Sequence, residues 1–264
     1  MIPKVIHYIW LGKGKYPKNI SKCINSWYLY NPEFKIIKWD ENNIPKDIHF
    51  VNYMIEIKQW AFASDCLRFW VLYHHGGIYL DTDMLVLKDL NPLTLNNSLF
   101  FGKEMANIVS GGIIGSVSGN NLIKKCLAFY LENNNIEELK INETNKILIP
   151  QIITSVISEK YQISQNDSLE KFDNLTIYPT NYFYPISFTD RDKINSFVPS
   201  EQSYAVHLWN ASWHNEYQNL YNKRYGRSIN IFIKNLKSGQ FSFLESLIFL
   251  KRFIFQIIKN FFFK

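Results

Sequence analysis

Two aspartates, Asp81 and Asp83, are the strongest candidates for chemistry in this chain of 264 residues. They end the segment Gly-Gly-Ile-Tyr-Leu-Asp-Thr-Asp at residues 76–83, whose apolar part predicts a short strand. Side chains at i and i+2 of an extended segment point the same way, so both carboxylates can share one ligand cluster if the segment stays extended through Thr82. Carboxylate oxygens suit hard cations such as Mg²⁺ or Mn²⁺. A solvated turn is the alternative, because an isolated Asp-x-Asp is common.

A second charged pair, Asp65 and Arg68, lies in the long helix predicted over residues 56–75. The spacing of three residues places both side chains on one helical face. An ordinary ion pair on a solvated surface is one explanation. Residues 61–72 are apolar nearly all round, which favours a buried helix whose two charges face a polar pocket.

Residues 206–214 bring imidazole, hydroxyl and indole groups into one short segment. His207 can ligate a cation such as Mn²⁺ through a neutral ring nitrogen, whereas Ser212 and Trp213 can donate hydrogen bonds to phosphate oxygens. A histidine that simply packs among aromatic side chains is the alternative for His207. Trp10, at the end of the first predicted strand, can stack on a nucleobase or pack in the core.

Strands and helices alternate along the chain, which predicts an α/β sheet. The predicted strands cover residues 4–11, 34–39, 78–80, 84–87, 99–102, 175–178 and 204–209, and the predicted helices cover residues 20–30, 56–75, 121–132 and 147–158. Ligands of open α/β sheets bind beyond the carboxyl ends of strands, which is where Asp81 and Asp83 fall. Gly111 and Gly112 permit either close approach of a bound molecule to the backbone or a tight turn.

The composition predicts a globular, intracellular protein. Hydrophobic residues make up 47% and charged residues 20%, and the three cysteines are too scattered for a disulfide framework or a zinc site. We expect no signal peptide and no transmembrane helix, since no apolar run reaches about 18 residues. The net charge of +6 suits anionic partners, but the basic residues are scattered rather than striped, which argues against nucleic acid.

The C-terminal tail combines many phenylalanines, leucines and isoleucines with four basic residues. The basic residues are Lys251, Arg252, Lys259 and Lys264. Such a helix can lie in a membrane interface against anionic lipid, and packing on the domain or on a second subunit is the alternative. We therefore expect a catalytic domain over residues 1–235 and a helix that anchors it at the membrane interface over residues 236–264.

Three motifs, in this order, resemble those of the DXD-motif sugar-transferase family. They are Ile-His-Tyr-Ile-Trp-Leu-Gly at residues 6–12, Ala-Ser-Asp-Cys-Leu-Arg at residues 63–68, and the segment at residues 76–83. The family includes bacterial capsular polysaccharide transferases, fungal Golgi initiating mannosyltransferases and, more distantly, the glucosyltransferase domain of large clostridial toxins. Residues 207–213 resemble the family's late His and Ser-Trp motif, whereas residues 149–151 lack the Thr-Gly-Pro of many members.

The resemblance implies a GT-A fold, in which a Rossmann-like mixed sheet is flanked by helices. It also implies retaining transfer of a hexose from a nucleotide sugar, with a UDP-sugar favoured and Mn²⁺ or Mg²⁺ as cofactor. Asp65, Arg68, Asp81 and Asp83 become the catalytic candidates. By the same resemblance, Trp10 stacks on the base, Asp65 and Arg68 hold the donor sugar, and Ser64 and Tyr79 line the donor pocket. Asp81 contacts ribose and sugar. Asp83 and His207 ligate the metal, and Ser212 and Trp213 steady the diphosphate.

The expected acceptor is a lipid-linked surface glycan such as a capsular polysaccharide. The expected location is the cytoplasm, peripheral on the inner face of the cell membrane through the C-terminal tail. An effector that glycosylates a host protein and a non-catalytic scaffold that binds nucleotide sugars are the alternatives. No enzyme nucleophile is evident, so we expect a front-face path in which the diphosphate helps to remove the acceptor's proton.

Overall fold

The computed structural model describes residues 1–12, 14–132, 148–210, 220, 223–237 and 243–262. The chain divides into two compact units, Met1–Asn210 and Ala211–Lys264. The strands of the first unit are β1 (Val5–Ile9), β2 (Lys35–Trp39), β3 (Gly77–Leu80), β4 (Met84–Val86), β5 (Leu99–Met105), β6 (Ile108–Ser116), β7 (Glu170–Phe172), β8 (Leu175–Tyr178) and β9 (Ala205–His207). Its helices are α1 (Lys18–Tyr30), α2 (His49–Glu56), α3 (Trp60–His75), α4 (Asn91–Leu95), α5 (Asn121–Leu131), α6 (Ile149–Ser158) and α7 (Thr180–Phe183).

A seven-stranded mixed sheet, in the order β2-β1-β3-β6-β5-β8-β7, forms the centre of the first unit. Strand β1 pairs in parallel with β2 and β3, while β6 pairs antiparallel with both β3 and β5. Strands β1, β3 and β5 therefore run in the same direction, and their carboxyl ends meet at one edge of the sheet. The predicted α/β fold, a Rossmann-like mixed sheet flanked by helices, is confirmed.

Buried side chains form one cluster on each face of this sheet. Helices α2, α3, α5 and α6 cover one face, and α1, α4 and α7 contribute to the other cluster. Helix α3 buries Cys66, Leu67, Phe69 and Leu72 completely. This burial fixes the helix against the sheet, and with it the side chains that α3 directs towards the carboxyl edge.

Strands β4 and β9 form a separate two-stranded antiparallel sheet, in which Met84 is paired with His207. The segment that carries the two aspartates is a turn, because the Met84 N–H donates to the Asp81 carbonyl oxygen at 2.9 Å. The segment is therefore not extended through Thr82, which was the condition under which alternation would bring the two carboxylates together. The turn ends β3 and starts a second sheet, and this second sheet brings residue 207 beside the aspartates.

The helix predicted over residues 56–75 is present as α3, but it begins four residues later, at Trp60, because α2 ends at Glu56. Lys58 separates them with a φ of 59°, a left-handed conformation that an α-helix does not contain. Gly111 and Gly112 lie inside β6 and not in a tight turn.

Two glycines carry the chain from α3 into β3. Gly76 and Gly77 have φ values of 65° and 100°, which residues other than glycine rarely adopt. A Cβ on Gly77 would lie 2.6 Å from the carbonyl oxygen of Val5. Glycine is thus required here both by the backbone conformation and by the close approach of β1.

The second unit contains α8 (Tyr225–Lys237) and α9 (Phe243–Phe262). Its small core consists of Leu220, Phe232 and Phe249, with the two phenylalanine rings stacked at 4.2 Å. Among the helices that the structure describes, none combines the length and the apolar character needed to cross a membrane. A helical C-terminal segment is confirmed, while the predicted domain division at residue 235 stays a prediction.

His7 ties β1 to its surroundings through both ring nitrogens. The Trp39 Nε1–H donates to Nδ1 at 3.1 Å, so Nε2 carries the proton and donates to the Gly76 carbonyl oxygen at 2.9 Å. Burial, opposed by the Gly76 hydrogen bond, lowers the pKa of His7 from 6.5 to about 4. As the pH falls, the His7 ring therefore gains its positive charge in the unfolded chain before it does so in the folded protein.

We expect the free energy of unfolding to fall as the pH drops from 6.5 towards 4, with a contribution from His7 of about 3 kcal/mol. The His7→Gln variant should lose this pH dependence, because an amide does not become protonated in this pH range. The amide can still donate to Gly76 and accept from Trp39, so the hydrogen bonds remain. Urea unfolding over this pH range measures it, with exposed His49→Gln as the control. An unchanged pH slope in His7→Gln would contradict the assignment.

Candidate functional site

The site lies at the carboxyl edge of the central sheet, where Asp81, Asp83 and His207 converge. One ligand atom from each residue lies within 4.8 Å of the other two. Nε2 of His207 is 3.1 Å from Oδ1 of Asp83 and 3.9 Å from Oδ2 of Asp81. Asp83 and His207 are buried and Asp81 is half-buried, so the cluster opens to solvent on the Asp81 side.

The loop after β9 orients Asp83. The backbone N–H of Asn210 donates to Oδ2 at 2.8 Å, and the N–H of Leu208 donates to the Asp83 carbonyl oxygen at 3.0 Å. Trp209 has a φ of 50°, an uncommon conformation for a bulky residue, and its ring meets His207 edge-on at 4.1 Å. Backbone strain of this kind collects at functional sites when the surrounding contacts maintain it.

Arg68 links the helix α3 to the aspartate turn. Its Nη2 donates to Oδ1 of Asp65 at 2.6 Å, and its Nη1 donates to the Gly111 carbonyl oxygen at 2.8 Å. Nη1 also lies 3.2 Å from Oδ1 of Asp81, and the guanidinium covers the Tyr79 ring at 4.7 Å. The Arg68–Asp65 pair is thus part of a buried network and not a solvated surface pair.

Tyr79 and Ser64 complete this network. The Tyr79 hydroxyl donates to Oδ1 of Asp81 at 2.8 Å, and the Ser64 hydroxyl lies 3.4 Å from the Tyr79 oxygen. Oδ1 of Asp81 therefore meets Tyr79 and Arg68, while its Oδ2 points towards His207. One carboxylate connects the charged network on α3 with the three-residue cluster.

Burial and neighbouring charges perturb several of these groups. Burial raises the pKa of Asp65 to about 6, although the Arg68 charge opposes the shift. For Asp83, burial would raise the pKa, but the charge of His207 and the Asn210 N–H together lower it. Burial would lower the pKa of His207, and its interaction with Asp83 reverses the direction. These opposed effects are typical of functional sites.

The cluster fits a divalent cation. Two carboxylates and an imidazole provide the oxygen and nitrogen donors that Mg²⁺ or Mn²⁺ accepts. Within the described part of the chain, neither ring nitrogen of His207 has a well-aligned hydrogen-bond partner, although both are buried. A cation bound by Asp81, Asp83 and His207 would satisfy Nε2 and offset the two carboxylate charges.

Two site residues carried no recognised signal in the sequence. Tyr184, just after α7, accepts a hydrogen bond from the Ile113 N–H at 3.1 Å, and a Cβ on Gly112 would lie 2.8 Å from its hydroxyl oxygen. Glu104 lies near the carboxyl end of β5. A carboxylate that close to the end of a predicted strand, at 99–102, is the signal that sequence inspection could have used.

The remaining predicted site residues are Trp10, Ser212 and Trp213. The Trp10 indole N–H donates to the Gly14 carbonyl oxygen at 2.7 Å, and its ring meets Tyr16 edge-on at 4.9 Å. Its role as a platform for the base stays a prediction. Ser212 and Trp213 lie outside the described residues.

Replacing Arg68 by methionine should destabilise the fold strongly, because Asp65 and Asp81 would lose their buried counter-charge. We expect a loss of about 3 kcal/mol or more in the free energy of unfolding. The exposed pair of Lys125 and Glu159, at 2.6 Å, supplies the control, for which Lys125→Met should cost about 1 kcal/mol or less. Urea unfolding of both variants measures the difference. Equal costs would contradict a buried network at Arg68.

Several solved structures are similar to this chain. The PaToxG glycosyltransferase aligns with a TM-score of 0.46 and 20% identity, covering 60% of this chain and 69% of its own. The glycosyltransferase GlyE of Streptococcus pneumoniae aligns with a TM-score of 0.45 and 14% identity, covering 80% of this chain and 57% of its own. Both are glycosyltransferases by name.

Curated relatives include the lactosylceramide 4-alpha-galactosyltransferases of mammals. The Mus musculus protein is 29% identical over 159 residues, which are 58% of this chain and 42% of the relative. An uncharacterized glycosyltransferase of Acanthamoeba polyphaga mimivirus is 25% identical over 224 residues, covering 81% of this chain and 84% of the relative. The chain spans about half the length of the mammalian relatives it matches.

Two family models match adjacent parts of the chain. Residues 17–100 match the glycosyltransferase sugar-binding region containing the DXD motif, and residues 115–231 match the alpha 1,4-glycosyltransferase conserved region. The first range contains Asp65, Arg68, Asp81 and Asp83, and the second contains His207. The two matched ranges thus include the charged network and every member of the candidate metal cluster. The chain thus contains a glycosyltransferase sugar-binding region with a DXD motif, followed by a region similar to alpha 1,4-glycosyltransferases.

Proposed function

We propose that this protein is a metal-dependent, retaining glycosyltransferase that moves a hexose from a UDP-sugar to a lipid-linked glycan. The observation that carries the proposal is the Asp81–Asp83–His207 cluster beside the buried Arg68–Asp65 pair. A cation site next to fixed hydrogen-bonding groups suits a substrate with a diphosphate at one end and a sugar at the other. Mn²⁺ is the preferred ion, because an imidazole accompanies the two carboxylates.

The residues divide between the two ends of this donor. Asp83 and His207 would hold the cation, which when bound neutralises the departing diphosphate. Asp65 and Arg68 would bind the donor sugar, and the hydrogen bond from Tyr79 fixes Asp81 between both regions. The Asn210 N–H holds the Asp83 carboxylate in place, so its orientation does not depend on the substrate. Groups that are preorganised in this way lower the barrier without reorganising during the reaction.

Retention is proposed to follow the front-face path. The acceptor hydroxyl attacks the anomeric carbon on the side of the leaving diphosphate, and its proton passes to a diphosphate oxygen. Asp65, a half-buried carboxylate that would bind the donor sugar, is paired with Arg68 at 2.6 Å. This pairing opposes its use as a covalent nucleophile, because attack would remove the charge that neutralises Arg68.

A lipid-linked glycan is the proposed acceptor for two reasons. The mammalian relatives are named for transfer to lactosylceramide, which is a sugar carried on a lipid. The second unit of this chain also exposes a large apolar surface, including Phe243, Leu244 and Phe255 with exposed fractions of 82%, 66% and 61%. Lys251 and Arg252 lie on the same helix and are exposed.

We propose that this surface of α9 lies in the membrane interface, so that the enzyme is peripheral on the cytoplasmic leaflet. Exposed aromatic and aliphatic side chains can enter the acyl boundary, and nearby cations attract anionic headgroups. A membrane position would place the active site near lipid-linked acceptors. A capsular or other surface polysaccharide is the corresponding product.

The activity test combines UDP- and GDP-sugars with a panel of methyl glycosides, including methyl lactoside, in the presence of Mn²⁺. We expect transfer with retention of the donor's anomeric configuration, measured by NMR of the product. Asp83→Asn should lower turnover by about 100-fold or more, since it weakens the cation site, while the fold remains intact. The exposed Asp173→Asn should behave as wild type. An inverted product, or full activity of Asp83→Asn, would contradict the mechanism.

Membrane binding is tested by sedimentation with vesicles that contain phosphatidylcholine and about one third phosphatidylserine. We expect the wild-type protein to sediment with these vesicles and the double variant Phe243→Asp, Phe255→Asp to remain in solution. Val198→Asp provides a matched control, since Val198 is an exposed apolar residue of the first unit. Equal sedimentation of the double variant and the wild type would refute the proposed contact.

A further inference from the structure

Glu104 occupies an irregular position at the functional edge of the sheet. Lys103 of β5 pairs with Val109 of β6, and Met105 pairs with Ile108, so Glu104 is the extra residue of a β-bulge. Bulges redirect a side chain and are frequent beside active sites. The preceding Lys103 is completely buried and forms an ion pair with Glu170 at 2.5 Å. The direction of the Glu104 side chain is therefore set by the bulge and not by the regular alternation of β5.

The surroundings of Glu104 connect it to the site. Ser110 of β6 pairs with Gly102 of β5, two residues before Glu104. Its hydroxyl interacts with the Glu104 carboxylate, and the charges of His207 and Asp81 act on that carboxylate. Tyr184 lies beside both Ser110 and Gly112 of β6. A Cβ on Gly112 would lie 3.2 Å from Oδ2 of Asp81. The absence of a side chain at Gly112 thus leaves room beside the Asp81 carboxylate.

The strand order places Glu104 opposite the predicted nucleotide position. Strands β1, β3 and β5 end at the same edge, with β3 between the other two. Trp10 follows β1, Asp81 follows β3, and Glu104 belongs to the end of β5. If the donor extends from Trp10 to Asp81, then Glu104 lies beyond the sugar, on the side from which an acceptor must approach.

Glu104 is also distinct from the candidate metal ligands. Among the described residues, only Asp81, Asp83 and His207 form a group whose ligand atoms all lie within 4.8 Å of one another. Burial raises the pKa of Glu104 although Ser110 opposes the shift. A half-buried carboxylate held by one hydroxyl keeps acceptor capacity for a further hydrogen bond.

We propose that Glu104 binds the attacking hydroxyl group of the acceptor by accepting its hydrogen bond, an assignment that rests on the proposed transferase function. The hydroxyl oxygen forms a bond with the anomeric carbon while the bond from that carbon to the diphosphate breaks. The proton passes to a diphosphate oxygen, as on the front-face path. Glu104 remains a carboxylate throughout and fixes the direction of attack. Ser110 is the positioning residue that holds it.

The test uses water as the acceptor, so it does not depend on knowing the natural one. Hydrolysis of UDP-galactose and UDP-glucose is measured with Mn²⁺ by release of UDP, and binding of each donor and of Mn²⁺ is measured by calorimetry. Glu104→Gln should lower the hydrolysis rate by about tenfold or more, the loss expected for a charge-assisted hydrogen bond. Donor and Mn²⁺ dissociation constants should stay within about twofold, because the ligands of both remain.

Three further variants complete the test. Glu104→Asp should regain part of the rate, and Ser110→Ala should lose rate without losing donor affinity. Glu159→Gln, at an exposed ion pair, should match the wild type. The proposed role of Glu104 is refuted if Glu104→Gln hydrolyses the donor normally, or if it loses donor or Mn²⁺ affinity in step with rate. Either result leaves the proposed transferase function standing. A wild-type protein that neither binds nor hydrolyses either donor overturns the proposed function as well.

Discussion

The buried guanidinium of Arg68 is the interaction on which the site depends. It reaches Asp65 on its own helix, the backbone of Gly111 on β6 and the carboxylate of Asp81 after β3. A lysine could not replace it, because one ammonium cannot span three separate acceptors in a planar arrangement. The guanidinium thus joins a helix, a strand and a turn, and it offsets the charge that two half-buried carboxylates would otherwise leave uncompensated.

The candidate metal cluster depends on a second constraint, the pairing of β4 with β9. This short sheet places His207 opposite Met84, directly after the aspartate turn, although more than a hundred residues separate them along the chain. The loop beyond β9 then returns its backbone N–H groups to Asp83. Asp81 belongs to both constraints, because one oxygen meets Arg68 and the other faces His207. Donor binding and metal binding are therefore coupled through one carboxylate.

Local patterns predicted much of this arrangement. The α/β alternation, the strand before Asp81 and the burial of the helix carrying Asp65 and Arg68 follow from periodicity and from the two glycines at residues 76 and 77. The turn at Thr82 could not be predicted in this way, since it results from the later pairing of β4 with β9. The bulge at Glu104 depends on the register between β5 and β6, which a short-range pattern does not encode. Local patterns alone did not reveal contacts between distant segments. The proximity of Asp83 and His207 was implied only by the family resemblance.

The cation site is tested most directly by a crystal structure of the protein with Mn²⁺ and UDP, using the anomalous scattering of manganese. We expect a single strong anomalous peak within coordination distance of an Asp83 oxygen and of Nε2 of His207, with a diphosphate oxygen as a further ligand. A peak elsewhere, or UDP bound without manganese at these residues, would contradict the proposal that Asp81, Asp83 and His207 form the centre of the transferase site.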